Sequence, residues 1–158
     1  MTLRASDLIS LDTNVLVHWI RQNEIGMKLR DNYRLHERTD RPIYSSIVEG
    51  EIRALAKMWK WGNEKLEALD ILLAELVRVD AGLKDIVHAY ADIFVADQSG
   101  GHNTGQNDMW IAATTKAAGA VLLTCDSDCV WMSPGIVVVE RVPTVKSEDE
   151  RNLDGAES

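Results

Sequence analysis

Four acidic side chains, each in a short motif of its own, are of the types that bind metal ions or move protons. They are Asp12 in LDTN, Glu51 in EGEI, Asp108 in NDMWIAAT and Asp126 in LLTCDSD. Hydrophobic periodicity places each of them at the C-terminal end of an apolar strand or in the first turns of a helix. Because those ends converge on one edge of an open α/β sheet, we expect the four carboxylates to share one cleft.

Such a cluster must take up protons or bind a cation, because like charges a few ångströms apart repel each other. Oxygen ligands without a pair of His or Cys side chains suit Mg²⁺ or Mn²⁺. Taken singly, Asp12 and Asp108 are explained as helix-terminal residues, and Asp126 as a turn residue. Independent caps and turns have no reason to share one edge of a sheet, so the shared edge favours chemistry.

Two of these acidic residues have acidic neighbours that offer an alternative. Glu49 and Glu51 cannot share a helix face, and the spacing from the apolar stripe places Glu51 at the border of the buried face. Glu49 then points further toward solvent. Asp126 directly ends a strand, whereas Asp128 follows it in the turn, where it can reach a second metal ion or hold a water ligand.

Polar residues next to the carboxylates are suited to orienting them by hydrogen bonds. They are Asn14, Thr124, Ser46 and Asn107. Ordinary capping explains Ser46 and Asn107 equally well. Thr124 is more informative, because a hydroxyl that ends an apolar strand costs free energy unless it finds a partner.

Strand and helix patterns alternate along the chain, which predicts an α/β fold. We expect a three-layer α/β/α sandwich with a central, mainly parallel sheet of about five strands. The predicted strands are 8–11, 43–45, 76–79, 120–124 and 135–139. The apolar run of the last predicts burial on both faces. Turn residues from Ser99 to Asn107 predict a loop that leads into the helix of Asp108.

Length and composition predict a single domain over residues 1–143 and an acidic, disordered tail over 144–158. The sequence has neither a membrane span nor a signal segment, so we expect a cytoplasmic protein. Its two cysteines, Cys125 and Cys129, do not form a zinc or disulfide pattern and are expected to be reduced.

The net charge of −8 argues against a broad basic surface that coats nucleic acid. It does not exclude an enzyme acting on nucleic acid, because bound metal ions reverse the local sign of the charge. Basic residues between Arg21 and Arg41 are assigned to a solvated helix face rather than to a phosphate-steering patch. The five tryptophans are assigned to core packing or partner contacts rather than to base stacking.

Together, LDTN, the helix start from Ser46 to Glu51, NDMWIAAT and LLTCDSD resemble the PIN-domain ribonucleases. The resemblance is strongest to the toxin component, VapC-like, of bacterial type II toxin–antitoxin pairs, and it covers Leu8 to Val142. It implies a metal-dependent endoribonuclease that cuts RNA, forms a homodimer and is neutralised by a small antitoxin whose peptide fills the cleft. Two departures are Glu49, where an apolar residue is common, and Cys129, where many relatives have an aromatic residue.

For such an enzyme, Mg²⁺ or Mn²⁺ activates a water molecule that attacks the phosphodiester. We expect the catalytic residues to be Asp12, Glu51, Asp108 and Asp126. The expected metal ligands are Asp12, Asp108 and Asp126, with Asp128 at a second position. Glu51 acts as a ligand through water or as a base for the attacking water.

Two other classes remain as alternatives. An α/β phosphohydrolase with an aspartyl nucleophile also begins with a strand that ends in Asp. Relatives of the haloacid dehalogenases carry a second Asp where this chain has Asn14, and no downstream lysine motif matches. The other is a non-catalytic PIN-like module that binds RNA or protein, which the four retained acidic positions argue against. The segment from Ile47 to Leu76 suits a dimer face, an antitoxin site or internal core.

Overall fold

The computed structural model of the chain describes residues 3–144. Its strands are β1 (Ile9–Leu11), β2 (Ile43–Ser45), β3 (Val77–Val79), β4 (Val121–Thr124) and β5 (Val138–Arg141). They form one five-stranded sheet in the order β3-β2-β1-β4-β5, and every neighbouring pair is parallel. The predicted parallel α/β fold is therefore confirmed.

Within residues 3–144, six α-helices connect the strands and flank the sheet. They are α1 (Thr13–Arg21), α2 (Glu24–Asp31), α3 (Ser46–Met58), α4 (Asn63–Glu75), α5 (Lys84–Gly100) and α6 (Gln106–Ala117). Successive residues of a strand point to opposite faces, and Ile9, Ser10 and Leu11 are all completely buried. Both faces of the sheet are therefore covered, as the predicted three-layer sandwich requires.

The order of the strands places a reversal between β1 and β4. From β1 the chain moves outward through β2 to β3, then returns across the sheet to β4 on the other side of β1. The carboxyl ends of the strands open into a crevice at such a reversal, which is where open α/β sheets bind ligands. Asp12 directly follows β1, and Thr124 ends β4. The topology thus predicts a ligand cleft beside these two residues.

The fifth strand lies further along the chain than predicted. It begins at Val138 rather than at residue 135, because the amides of Ile136 and Val137 instead bond to the carbonyl of Met132 in a turn. β5 is an edge strand that pairs only with β4, and its residues are half-buried or exposed. The prediction of burial on both faces was therefore wrong.

The loop before α6 is shorter than the predicted Ser99–Asn107 segment. α5 continues to Gly100 and ends at Gly101, whose φ of 66° favours glycine, and α6 begins at Gln106. The buried Asp97 holds the connection in place, because its carboxylate accepts a hydrogen bond from the amide of Thr104 (2.9 Å). The residues at both ends of the predicted loop therefore belong to α5 and α6, and this contact fixes the connection between the two helices.

Three further expectations concern a membrane-spanning helix, the acidic tail and the two cysteines. Between residues 3 and 144, no helix combines the length and the apolar character that crossing a bilayer would require. The predicted acidic tail lies outside the described residues from position 145 onward. Cys125 and Cys129, which were predicted to be reduced, are free thiols, and both are buried.

Two helical glycines provide a matched test of this packing. A Cβ at Gly26 of α2 would overlap the backbone carbonyl of His18, whereas a Cβ at Gly50 of α3 would meet no atom within 4 Å. We expect Gly26→Ala to lower the free energy of unfolding by about 1–3 kcal/mol because the two helices must separate. Gly50→Ala should raise it by about 0.5–1 kcal/mol through its helix propensity. Urea unfolding measures both, and equal effects would contradict the close approach of α1 and α2.

Candidate active site

Asp12 is the buried centre of the site. Its side chain is 6% exposed, because it leaves the end of β1 and caps the start of α1. One carboxylate oxygen, Oδ1, accepts a hydrogen bond from the amide of Thr13 (2.8 Å), and Oδ2 accepts one from the hydroxyl of Thr124 (2.7 Å). Burial nevertheless raises the pKa of Asp12 to about 6, with smaller contributions from the charges of Asp126 and Glu51. Asp12 is thus both the N-cap of α1 and the buried acid of the cleft.

Asn14 connects Asp12's helix to the loop that follows β4. Its Oδ1 accepts a hydrogen bond from the amide of Cys125 (3.1 Å), and its Nδ2 donates to Oδ2 of Asp126 (3.1 Å). The amide side chain therefore has one orientation, since only that orientation satisfies both partners. Asn14 fixes the position of the Asp126 carboxylate, which is the supporting geometry predicted for it.

Glu51, and not Glu49, faces the cleft. The hydroxyl of Thr13 donates to Oε1 of Glu51 (2.8 Å), which joins the start of α1 to α3. Glu49 instead pairs with Arg78 (2.9 Å) and Arg53 (3.4 Å) on the outer side of α3. The two acids diverge because residues two positions apart cannot share a helix face.

Asp108 approaches the same cluster from the first turn of α6. Its pKa is raised to about 7, chiefly by burial and then by the charges of Asp12, Asp126, Asp128 and Glu51. Asp12 and Asp108 come from segments far apart in the sequence, yet the charge of Asp12 adds to the cost of ionising Asp108. The structure therefore brings all four predicted acids to one place.

Three of the other predicted residues lie in different surroundings. Asp128 is exposed, and its amide donates to Oδ1 of Asp126 (3.1 Å), so its carboxylate stands at the rim of the cluster. The hydroxyl of Ser46 accepts from the amide of Ala81 (3.0 Å) and anchors the loop after β3. Asn107 is exposed on α6 and does not line the cleft. Ser46 and Asn107 therefore do not orient the carboxylates in this structure.

The acids open into a cleft of about 360 Å³ between α1 and α3. Asn14, His18 and Arg21 follow one stripe of α1, and Glu51, Leu55 and Trp59 follow one stripe of α3. Residues at such spacings of three and four share a helix face. The cleft therefore has the carboxylates at one end, and at its other end the guanidinium of Arg21 stands 4.7 Å from the ring centre of Trp59.

Sequence reasoning missed this second end. Arg21 was assigned to a solvated face and Trp59 to core or partner contacts, because nothing in the sequence pairs two residues on different helices. The available signal was the spacing itself. Arg21 lies seven positions after Asn14, and Trp59 lies eight after Glu51, so each continues the face that carries a predicted site residue.

His18 forms part of the cleft wall as a neutral side chain. Asn23 accepts from the amide of Gly26 through Oδ1 (3.0 Å), so its Nδ2 is the atom that faces Nδ1 of His18 (2.8 Å). Nδ1 must then accept, which leaves the proton on Nε2. Burial lowers the pKa of His18 in the same direction. The cleft thus contains a neutral imidazole with a hydrogen-bond donor at Nε2.

The donor set fits a hard divalent cation that keeps much of its water. Within residues 3–144, no three His, Cys, Asp or Glu side chains form a ready-made ligand cage. Mg²⁺ rarely uses such a cage and commonly binds through one or two carboxylates and several waters. Asp12, Asp108 and Asp126 supply oxygen ligands of this kind, and a cation would relieve the repulsion that raises the pKa of Asp108.

Comparison with known proteins places this geometry in a family. The family model described as "PIN domain" matches residues 9–140. No curated protein sequence matches the chain.

Solved structures with a similar fold include toxin–antitoxin proteins. The structure of VapBC2 from Rickettsia felis bound to a DNA fragment from their promoter has a TM-score of 0.75 and 23% identity, covering 86% of this chain and 99% of that chain. VapBC-5 from Mycobacterium tuberculosis, of the VapBC family of toxin–antitoxin systems, has a TM-score of 0.65 and 18% sequence identity. The match covers 86% of this chain and 99% of that chain. A toxin–antitoxin complex from Klebsiella pneumoniae has a TM-score of 0.65 and 17% sequence identity, and the match covers 87% of this chain and 99% of that chain. At these identities the likeness shows a shared fold.

The raised pKa of Asp12 predicts how the stability of the folded protein changes with pH. The folded carboxyl holds its proton up to about pH 6, whereas the unfolded one releases it near 3.8, so the folded state loses stability as the pH rises through that window. Asp12→Asn keeps the cap and leaves Thr124 able to accept, but removes the charge. In EDTA, we expect its free energy of unfolding to rise relative to the parent by on the order of 2–3 kcal/mol between pH 4 and pH 8.

Guanidinium unfolding across that pH range measures the difference. Asp92→Asn, which removes an exposed carboxylate from α5, serves as the control and should track the parent at every pH. A variant less stable than the parent at pH 8 would mean that the hydrogen bonds of the Asp12 carboxylate outweigh the cost of burying its charge.

Proposed function

Because the chain belongs to the PIN-domain family, we propose that it is a metal-dependent endoribonuclease and the toxin of a toxin–antitoxin pair. The observation that carries the proposal is the burial of Asp12 beside Asp108 at the reversal of the sheet, with the pKa of both carboxyls raised. Two carboxylates in a place where their ionisation costs free energy destabilise the fold, but they form a favourable site for a cation. Phosphodiester hydrolysis is a reaction that such a site serves.

Asp12, Asp108 and Asp126 would hold Mg²⁺ or Mn²⁺, with Asp128 contributing from the rim. When bound, the ion supplies a coordinated water of lowered pKa and neutralises charge on the phosphate. Thr124 and Asn14 orient the carboxylates of Asp12 and Asp126 through their hydrogen bonds of 2.7 and 3.1 Å. Such supporting contacts preserve ligand geometry during a reaction.

Glu51 is the proposed base for the attacking water. It lines the cleft without belonging to the buried pair, and Thr13 holds its Oε1 while Oε2 is the oxygen left to face the cleft. A proton taken by Glu51 would leave the water's oxygen as the nucleophile toward phosphorus, and the bond to the departing ribose oxygen would break. Amide groups at the start of α1 and α6 favour the negative charge of the phosphate.

An aspartyl phosphohydrolase is less well supported. Asp12 has both carboxylate oxygens in hydrogen bonds with Thr13 and Thr124, and Asn14 holds Asp126 rather than acting as an acid. A nucleophile would have to give up one of these bonds. The same hydrogen bonds are compatible with metal binding, because each carboxylate oxygen of Asp12 keeps a second lone pair.

We also propose a small antitoxin as a partner, because the similar structures include VapBC assemblies described as toxin–antitoxin systems. A peptide with a basic side chain would find a favourable place at the acidic end of the cleft. Its cation would compete with the metal ion for Asp12 and Asp108, which links neutralisation to the same carboxylates.

A homodimer face is proposed on α5 instead of the segment Ile47–Leu76. Most of the large apolar side chains in that segment are buried or half-buried, with Met58, Trp59 and Ile71 exposed. α5 carries an apolar stripe at spacings of four, three and four, which consists of Leu83, Val87, Tyr90 and Phe94. Exposed apolar stripes of this kind mark interaction surfaces in folded proteins.

The nuclease proposal predicts metal-dependent cutting of RNA. Purified protein incubated with total RNA and Mn²⁺ or Mg²⁺ should produce discrete fragments, and EDTA should stop the reaction. Asp108→Asn should lower the rate by roughly 100-fold or more, because it removes a charged metal ligand. Gel analysis of the fragments gives the rate and the class of RNA that is cut.

The exposed Asp92→Asn variant is the matched control and should retain the parental rate. If Asp108→Asn binds Mn²⁺ and cuts RNA as the parent does, the carboxylate cluster is not the catalytic site. If the parent binds the ion and cuts no RNA, the non-catalytic binding module becomes the better description.

The dimer proposal is tested by charge substitution on the two candidate faces. Phe94→Glu should convert a dimer to a monomer in light scattering, because a carboxylate buried without a partner is costly. Ile71→Glu changes an apolar residue on α4 that is more exposed than Phe94 and should leave the dimer intact. The reverse result would assign the dimer to the segment Ile47–Leu76, and a monomeric parent would reject both faces.

A further inference from the structure

The end of the cleft away from the carboxylates pairs a cation with an aromatic ring. Arg21 is the last residue of α1, and Trp59 caps the C-terminal end of α3. The guanidinium carbon of Arg21 lies 4.7 Å from the centroid of the indole ring. Trp59 is 43% exposed, which is unusual for the largest apolar side chain. An exposed indole that lines a cleft has contact surface available for a ligand.

Its distance from the acidic end suits the backbone of a nucleic acid. Arg21 lies seven residues after Asn14 on α1, which corresponds to about 10 Å along the helix axis. Trp59 lies eight residues after Glu51 on α3, or about 12 Å. Consecutive phosphates of an extended strand are separated by six backbone bonds, or roughly 6–7 Å, so these helix lengths correspond to about one or two nucleotides. A strand with one phosphate at the carboxylates therefore has a nucleotide one or two positions further along near Arg21 and Trp59.

Charge distinguishes this end from the rest of the cleft. Among the described residues that line it, Arg21 is the one permanent cation, and the charged residues at the other end are all acidic. With a net charge of −8, the protein has no general attraction for a polyanion. A phosphate group that enters the cleft therefore finds its favourable contact at Arg21.

The aromatic surface continues beyond the cleft. The ring centroids of Trp59 and Trp61 are 6.1 Å apart, and the ammonium of Lys65 lies 4.6 Å from the ring of Trp61. Cations that alternate with exposed rings are the composition of surfaces that bind single strands, where bases stack on rings and phosphates pair with cations. A peptide would use the rings but has no regular series of anions for Arg21 and Lys65.

We propose that Arg21 and Trp59 form a nucleotide subsite beside the site of cleavage, in which Arg21 binds a backbone phosphate of single-stranded RNA and the indole of Trp59 stacks on the adjacent base. The subsite rests on the proposed ribonuclease function and assigns it a substrate form, an unpaired strand. A duplex cannot place a base on Trp59 without unstacking it. His18, neutral and between the two ends, donates from Nε2 to the same strand.

Binding is measured by fluorescence anisotropy with a short, labelled single-stranded RNA of random sequence. The full-length Asp108→Asn protein with Mg²⁺ is the background, so that binding is observed without cutting. Trp59→Ala in this background should weaken binding about 10-fold or more, as removal of a stacking ring does. Trp59→Phe, which keeps an aromatic face, should recover most of the loss.

Arg21→Gln gives an independent signature. Loss of one phosphate contact should weaken binding and reduce the slope of log K against log salt concentration by about 0.7. Arg30→Gln removes an exposed cation from the neighbouring helix α2 and should change neither quantity. Circular dichroism of each variant verifies that the fold is retained.

The outcomes separate the subsite from the function on which it rests. RNA binding by the background protein that is unchanged by Trp59→Ala and Arg21→Gln would overturn the subsite and leave the nuclease proposal standing. The absence of any RNA binding by the background protein would overturn the subsite, and a parent protein that also cuts no RNA would overturn the nuclease proposal as well. If the variants instead weaken only the binding of a basic peptide, the cleft end is a protein site and the proposal is wrong.

Discussion

The burial of the Asp12 carboxylate is the constraint on which the rest of the site depends. The reversal of strand order between β1 and β4 places Asp12 in a crevice where it loses most of its contact with water. Burial raises the pKa of Asp12, and burial together with the nearby charge of Asp12 raises the pKa of Asp108. Burying these carboxylates costs free energy of folding, but it creates a position where a cation would bind more favourably than it would on the surface.

Neutral polar side chains make that burial tolerable without removing the charge. Thr124 donates to Asp12, Thr13 to Glu51 and Asn14 to Asp126, so each carboxylate has a fixed direction. No basic residue takes these places. A lysine or arginine beside Asp12 would neutralise it and compete with a metal ion, whereas hydroxyl and amide donors hold the oxygens and leave lone pairs available.

The cleft has opposite chemical character at its two ends, and helix geometry is the reason. α1 and α3 both start at the carboxyl edge of neighbouring strands, β1 and β2, so their N-terminal halves bring Asp12 and Glu51 together and their C-terminal ends bring Arg21 and Trp59 together. Carboxylates at one end and a cation at the other suit the proposed substrate, because one phosphate of a strand can approach a metal ion while another approaches Arg21. In that proposal, binding of the strand does not depend on a broad basic surface.

The sequence alone determined the α/β class, the parallel sheet and the convergence of Asp12, Glu51, Asp108 and Asp126, because strand and helix periodicities are local and parallel strand ends share an edge by topology. Tertiary structure alone decided three other features. The loop before α6 was shortened by the buried Asp97, β5 was moved to residues 138–141 by a turn at Met132, and Ser46 was drawn to Ala81. Arg21 and Trp59 meet only because two helices pack side by side, and no local pattern records a contact between residues 38 positions apart.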